Sequence, residues 1–225
     1  MAMSEQNIFV IGDVHGCLNT WEELLQHWHP ETERLVQVGD LIDRGRYSPE
    51  CVALAISLEV RYPGQTTFLK GNHEAAMLRH FGPAGAQQEG WLRWGGRSTV
   101  AQYEACPALL EPHLAWLARR PLYWHNAQLL ISHAGFADTP HQLDEEHPDG
   151  LLWRRGPLLN MGRRQIIGHT PTDGDPTFDP ATNVLNIDTG ACFGLALTGV
   201  RMAATGELLE EIIIPTHRID IAPAE

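Results

Sequence analysis

The sequence predicts an α/β fold, in which parallel strands alternate with helices and a later β-rich part packs on the first. Two observations carry this. In the first third of the chain, short β-type runs alternate with runs of helical periodicity, a pattern that builds parallel strands joined by crossover helices. In the last part, β-type runs follow one another without a helix between them, which requires a second sheet. A third observation points towards function. The glycine-led runs GDVHG (12–16), GDLIDRG (39–45) and GNHE (71–74) each close one of the first three strand candidates.

The elements follow in order. NIFVIG (7–12) reads as a buried strand. Thr20 and Glu23 have capping-box spacing, and Trp21, Leu24, Leu25 and Trp28 recur at i, i+3, i+4 and i+7, the stripe of an amphipathic helix. LVQVG (35–39) is the second strand. Ser48 and Pro49 then read as an N-cap with proline at the first helical position, and Val52, Ala55 and Ile56 supply the buried face. TTFLKG (66–71) is the third strand, and a helix through Met77, Leu78 and Phe81 follows it. The stretch 82–125 is rich in glycine and tryptophan, then helical over 109–119 up to Pro121, and reads as a helical insertion over the carboxyl edge of the sheet. AQLLIS (127–132), RQIIG (164–168) and VLNID (184–188) are strand candidates, and LALTGVRM and ELLEEIII flank AATGE as a hairpin. Residues 215–225 read as a loosely ordered tail.

Bulk properties narrow the class. A chain of 225 residues suffices for one domain spanning 1–225 with a real core. Its net charge of −12 argues against a nucleic-acid partner, which needs a basic face. No apolar run reaches the roughly 18 residues of a membrane span, and the start MAMSEQ lacks the basic and apolar regions of a signal peptide. The expectation is a soluble, cytoplasmic monomer with no membrane partner. Cys17, Cys51, Cys106 and Cys192 are widely spaced, which fits free, mostly buried thiols rather than a disulfide framework.

In parallel sheets ligands sit at the carboxyl ends of strands, and there the sequence gathers acids and imidazoles. The first strand delivers Asp13 and His15; the second Asp40, Asp43 and Arg44; the third Asn72 and His73; later strands His133 and His169. Singly, each has an ordinary explanation as a turn residue, a cap or a satisfied core group. His27, His29, His80, His113, His125, His141, His147 and His217 are given that reading. Five strand ends carrying mixed nitrogen and oxygen donors to one rim are harder to explain by turns. Asp, Asn and His without cysteine suit manganese, iron or zinc. Asp40 is central and placed to bridge to a second ion, and a metal pair ~3.5–4 Å apart is the arrangement used for in-line displacement at phosphorus.

The series GDVHG, GDLIDRG, GNHE, HAG (133–135) and GHTP (168–171) resembles the phosphoprotein-phosphatase branch of the calcineurin-like metallophosphoesterases, which also includes symmetrical diadenosine tetraphosphatases. The resemblance implies a four-layer β-sandwich of two mixed sheets flanked by helices. It implies two divalent ions, manganese foremost. Asp13 and His15 would bind the first, Asp40 would bridge, and Asn72, His133 and His169 would bind the second. It makes His73 the general acid, oriented by Asp43. It makes Arg44 and Arg155 (in LLWRRG, 151–156) the phosphate clamps, with Asn72 and His73 also facing the phosphate. The implied reaction is direct in-line attack of a metal-bridging hydroxide on a phosphomonoester, with phosphoserine or phosphothreonine in proteins as the first expectation. The alternative is a small phosphorylated substrate of the dinucleoside polyphosphate type. A non-catalytic phosphate-binding scaffold is a distant third, because no ligand or acid is missing.

Two segments depart from the pattern. In WLRWGGRST (91–99), Trp94 stands where bacterial relatives usually carry asparagine; Trp91 and Trp94 are expected mainly to pack the insertion onto the sheet, with lining of the substrate cleft as the alternative. The acidic stretch 135–150 is expected to be a solvated loop, and Arg154 a solvated arginine.

Overall fold

The structure, a computed structural model, describes residues 6–82 and 89–222. The alternating pattern of the first third is present as β1 (Asn7–Ile11), α1 (Leu18–Leu25), β2 (Glu33–Gln37), α2 (Ser48–Arg61), β3 (Thr66–Phe68) and α3 (Asn72–Phe81). The insertion is helical where it is described: α4 (Glu89–Trp91), a π-type turn (Leu92–Gly96), α5 (Arg97–Ala105) and α6 (Leu110–Leu117); the stretch 83–88 lies outside the described residues. Then come β4 (Tyr123–His125), β5 (Leu129–Ser132), β6 (Arg164–Ile167), β7 (Thr177–Asp179), β8 (Val184–Asn186), β9 (Ala196–Met202) and β10 (Leu208–Pro215).

These strands form two mixed five-stranded sheets, in the orders β10-β9-β1-β2-β3 and β4-β5-β6-β8-β7. β1, β2 and β3 are parallel, as are β5, β6 and β8. The hairpin β9–β10 does not join the second sheet. It lies antiparallel along the free edge of β1. The reason is burial: Ile8, Phe9, Val10 and Ile11 are all inaccessible, so β1 needs a neighbour on both edges and a layer on both faces. The three-residue edge strands β4 and β7 carry too little pattern to be seen in sequence.

Period-two alternation assigns the faces. Ile8 and Val10 join Val36, Val38, Leu129, Ile131, Ile166 and Leu185 in the core between the sheets. Phe9 and Ile11 point the other way, into a second core with Trp21, Leu24, Val52 and Met77 of the helices. Each such buried side chain contributes about 1.5–3 kcal/mol. On the outer face of the second sheet the covering layer is the irregular 133–163 segment: Gln165 accepts from the Phe136 N–H and donates to the Leu159 carbonyl.

Three local readings are corrected. The Thr20–Glu23 capping box is absent: α1 begins at Leu18, and the Asn19 and Thr20 N–H groups donate to Asp220 instead, at 3.1 and 2.8 Å. The tail is therefore not loose through Ala222. Asp220 is fully buried and Gly45 bridges to Ile221; 223–225 lie outside the described residues. At α2 the N-cap position is Tyr47, not Ser48, and the Ser48 hydroxyl accepts from the Asp43 N–H at 2.9 Å.

Candidate metal centre

The carboxyl ends of β1, β2, β3, β5 and β6 converge where the two sheets meet. Asp40 is the hub. Its Oδ2 lies 3.4 Å from His15 Nε2, 3.5 Å from His133 Nε2 and 3.9 Å from His73 Nε2. Asn72 Oδ1 stands 2.9 Å from His133 Nε2 and 3.0 Å from His169 Nδ1, while the His169 N–H donates to Asp13 Oδ2 at 3.1 Å. Asp13, His15, Asp40, Asn72, His73, His133 and His169 are all buried.

Backbone conformation aims these groups. His15, Asp40, Asp43, Arg44 and His169 all have positive φ, between 46° and 74°. Left-handed backbone in a non-glycine residue costs of order 1–3 kcal/mol and persists where surrounding structure enforces it. The neighbouring glycines serve two purposes. Gly39, at φ 108°, provides a backbone no L-residue holds easily. Gly71 and Gly168 have ordinary φ; a Cβ there would collide with the Asp40 and Asp13 carboxylates.

The site fits divalent cations on its own geometry. The Nδ1 atoms of His15 and His133 lie 2.8 and 3.1 Å from the Ile42 and Val38 carbonyls, which fixes both as Nδ1–H donors. The His133 Nε2 lone pair therefore points at other acceptors, the Asp40 carboxylate and the Asn72 oxygen, whereas His15 Nε2 faces both Asp40 and the Arg44 guanidinium. Acceptors facing acceptors need a cation between them. Asp13 Oδ1 and His169 Nε2 are also buried with no hydrogen-bond partner among the described residues. Two compact donor groups result, His15–Asp40–His73 and Asp13–Asp40–His133, and Asp40 belongs to both.

Electrostatics follow from burial and crowding. Burial, with the nearby Asp188 and Asp40 charges, pushes the Asp13 carboxyl far up. Burial lowers the His15 and His133 imidazoles, and the Arg44 charge adds to this at His15. Asp40 moves the other way: burial raises it, but the four surrounding histidines outweigh that and hold it ionised. A bound dication reinforces every carboxylate in the set.

His73 sits apart in character. Its Nδ1 is 2.5 Å from Asp43 Oδ2, so Nε2 faces the centre. Burial lowers the imidazole, but the Asp40 charge and the Asp43 hydrogen bond overcome it, and the group titrates above its ordinary value. Asp43 in turn accepts from Trp91 Nε1 at 2.6 Å and from the Thr99 hydroxyl at 2.5 Å. Arg44 Nη1 and Nη2 lie 2.7 Å from His15 Nε2 and 3.0 Å from His73 Nε2. Arg155 is exposed, bonded to Thr170 Oγ1 at 3.2 Å; burial lowers His169, as it does His133, and the Arg155 charge adds a smaller push in the same direction.

Several participants escaped sequence reading. Asp188, buried at the end of β8, follows the same signal as the others, an acid closing a strand. Its carboxyl is pushed up to about 6 by burial. Glu74 is a buried carboxylate accepting the N–H groups of Asp40, Leu41 and Gly71 at 2.8–2.9 Å, which ties the second and third motifs together. Trp91 is buried, as expected of a packing residue, yet its indole N–H also holds Asp43. Trp94 is 45% exposed, against the packing expectation. Arg154 is not simply solvated; it pairs with Asp149. The 135–150 loop is pinned rather than free: Lys70 Nζ reaches the Glu145 carboxylate at 2.8 Å, and the Trp153 indole donates to the Glu145 carbonyl at 2.8 Å.

Comparison with known proteins shows the family and the fold. A family model described as calcineurin-like phosphoesterase matches residues 6–194. A Bacillus cereus (strain AH187) protein named asymmetrical bis(5′-nucleosyl)-tetraphosphatase PrpE is 32% identical, over 85% of this chain and 89% of its own length. Among solved structures, a Saccharomyces cerevisiae serine/threonine phosphatase with similarity to human PP5 superposes with a TM-score of 0.71 at 16% identity, covering 98% of this chain and 82% of that one. A cold-active protein-tyrosine phosphatase of a Shewanella species gives 0.64 at 16% identity, covering 93% and 80%.

Proposed function

The chain belongs to the calcineurin-like phosphoesterase family, and on that premise we propose that it is a divalent-metal-dependent hydrolase of dinucleoside polyphosphates. The reaction class is supported by one observation above others: the buried His133 Nε2 lone pair faces only the Asp40 carboxylate and the Asn72 oxygen, beside the unpartnered Asp13 Oδ1 and His169 Nε2. The substrate is supported by the relatives at about one-third identity over most of the chain, which are named for tetraphosphate hydrolysis. The motif series alone points first to phosphoserine or phosphothreonine in proteins, and that is the second reading. The proposal includes two metal ions, manganese foremost and iron or zinc also suited, and a cytoplasmic monomer with neither a nucleic-acid nor a membrane partner. Among the described residues no helix is long and apolar enough to cross a membrane.

In this reading Asp13, His15 and Asp40 would hold one ion, and Asp40, Asn72, His133 and His169 would hold the other. Bound there, such a pair supplies Lewis acidity and a nucleophilic water at neutral pH. The chain's own residues do the rest. Arg44 and Arg155 grip phosphate oxygens from opposite rims, using the guanidinium fork, and the Asn72 amide faces the same oxygens. Arg44 sets the phosphate beside His73 Nε2, because its own Nη2 lies 3.0 Å away. His73 delivers the Nε2 proton to the departing oxygen. Asp43 at Nδ1 holds the ring in that orientation and stabilises its charged form, and Trp91 and Thr99 keep Asp43 from turning.

The test is parallel assay of the manganese-loaded protein on diadenosine tetraphosphate and on a phosphoserine peptide. The expected result is a kcat/KM at least ten-fold higher on the dinucleotide. Turnover of the peptide alone would replace the first reading with the second.

A further inference from the structure

Beside the metal centre lies a cavity of about 300 Å³, lined by Ala76, Arg79, Trp94, Glu146, Pro148 and Trp153. That volume is at the small end of the roughly 300–1,000 Å³ typical of small-molecule sites. Three links tie it to the chemistry. Ala76 follows His73 by one turn of α3, on the same face. The Trp94 carbonyl accepts from Arg44 Nε at 3.2 Å. Trp153 precedes the rim arginine Arg155 by two residues. The cavity therefore lies one turn of α3 from His73, on the side that the hydrolase reading gives to the leaving group.

Its walls are aromatic and set in place. The indoles of Trp94 and Trp153 meet edge to face, with ring centroids 5.8 Å apart and planes at 63°. Trp153 is anchored through Glu145, itself held by Lys70. Gly90 makes room for Trp94, since a Cβ there would stand 3.3 Å from its ring. Yet Trp94 remains 45% exposed. An indole face open beside a cavity gains most when another flat ring covers it. At the rim, Arg79 Nε lies 3.5 Å from the Glu146 carboxylate, so a donor and an acceptor stand side by side. A nucleobase matches both features, with a flat π face and an edge of donors and acceptors. A tyrosyl ring offers the face without that edge, and an aliphatic alcohol offers neither.

We propose that this cavity is a nucleobase subsite, which stacks the base of the leaving nucleotide on Trp94 and presents its polar edge to Arg79 and Glu146. The proposal rests on the hydrolase reading above and names what that site recognises beyond phosphate.

Two measurements test it separately from that reading. The first compares manganese-loaded wild type, Trp94→Ala and Trp94→Phe on diadenosine tetraphosphate and on inorganic tripolyphosphate, which has no base. The ratio of kcat/KM on the dinucleotide to that on tripolyphosphate should fall about ten-fold in Trp94→Ala, through KM, and recover in Trp94→Phe, as expected when one stacked base is lost. The second titrates adenosine against tryptophan fluorescence, with quenching expected in wild type and lost in Trp94→Ala. An unchanged ratio with no adenosine quenching overturns the subsite and leaves the hydrolase reading intact. Quenching in a protein that cuts no phosphate bond overturns the hydrolase reading and leaves the subsite. With a phosphotyrosyl peptide as a third substrate in the first measurement, a Trp94→Ala defect confined to that peptide assigns the cavity to a side chain and overturns the nucleobase.

Discussion

Asp43 shows how much one side chain is asked to do. It has no exposure to solvent, and it receives the His73 ring, the Trp91 indole and the Thr99 hydroxyl on its two oxygens. Its contact with His73 Nδ1 turns the other imidazole nitrogen inward. The consequence depends on the leaving group, because a general acid matters most when the departing oxygen is basic. His73→Asn is expected to keep its full metal content and to lose about 10²–10⁴-fold in kcat on a phosphoserine peptide. It should lose clearly less on diadenosine tetraphosphate, whose leaving group is already a stable phosphate anion. Metal analysis beside kcat for both substrates checks this; equal losses on the two would remove His73 from the acid role.

Helices here are held by long-range side chains more than by their own caps. The start of α1 is closed by Asp220, which accepts from the Asn19 and Thr20 backbone, the Asn19 amide and the Thr20 hydroxyl. Asp220→Ala strands these donors in a buried place, at a cost of about 1–3 kcal/mol by the measure of an unsatisfied buried group. Urea denaturation should show a lower midpoint with an unchanged slope. On the other flank, Glu59 of α2 accepts from Trp116 Nε1 of α6 at 2.6 Å and from Arg120 just beyond it at 2.8 Å. Partial burial raises this carboxyl, but the two hydrogen bonds and the arginine charge outweigh it, so its pKa is depressed below 4.5. A depressed carboxylate stabilises above its unfolded pKa, and the effect fades as pH falls through the folded value. Glu59 is partly exposed, so Glu59→Gln should cost under about 1 kcal/mol at pH 7. The difference from wild type should shrink towards zero as the pH is lowered below 4.5. A difference independent of pH would mean that packing, not charge, joins α2 to α6.

At the scale of the molecule the candidate metal centre is also a joint. Three of its strand ends come from the first sheet and two from the second, so cations there would clamp the layers together. Burial first, and then the repulsion among Asp13, Asp40 and Asp188, pushes Asp13 and Asp188 upward. A ligand that binds only the folded state stabilises it by about 2.7 kcal/mol at a hundred-fold excess over Kd. Chelation should therefore lower Tm by several degrees, and manganese should restore both Tm and activity. An unchanged Tm after complete metal removal, verified by elemental analysis, would separate the centre from stability.

The sequence by itself determined the alternation of strand and helix, the order of the motifs, and the acids and imidazoles that close the first three strands. Those signals are local: a buried five-residue strand needs β-branched and apolar residues, and the turn after it needs glycine, so Asp13, Asp40 and Asn72 stand out beside their glycines. Tertiary structure decided what depends on contacts between distant segments. Asp220 reaching Asn19, Trp91 reaching Asp43, Glu74 joining two motifs and the β9–β10 hairpin returning to β1 carry no periodicity or spacing of their own. The division has one physical cause. Backbone preference and hydrophobic period act over a few residues and are written in order along the chain. A buried donor or acceptor takes whichever partner the packed layers bring within about 3 Å, and only the folded chain determines which partner that is.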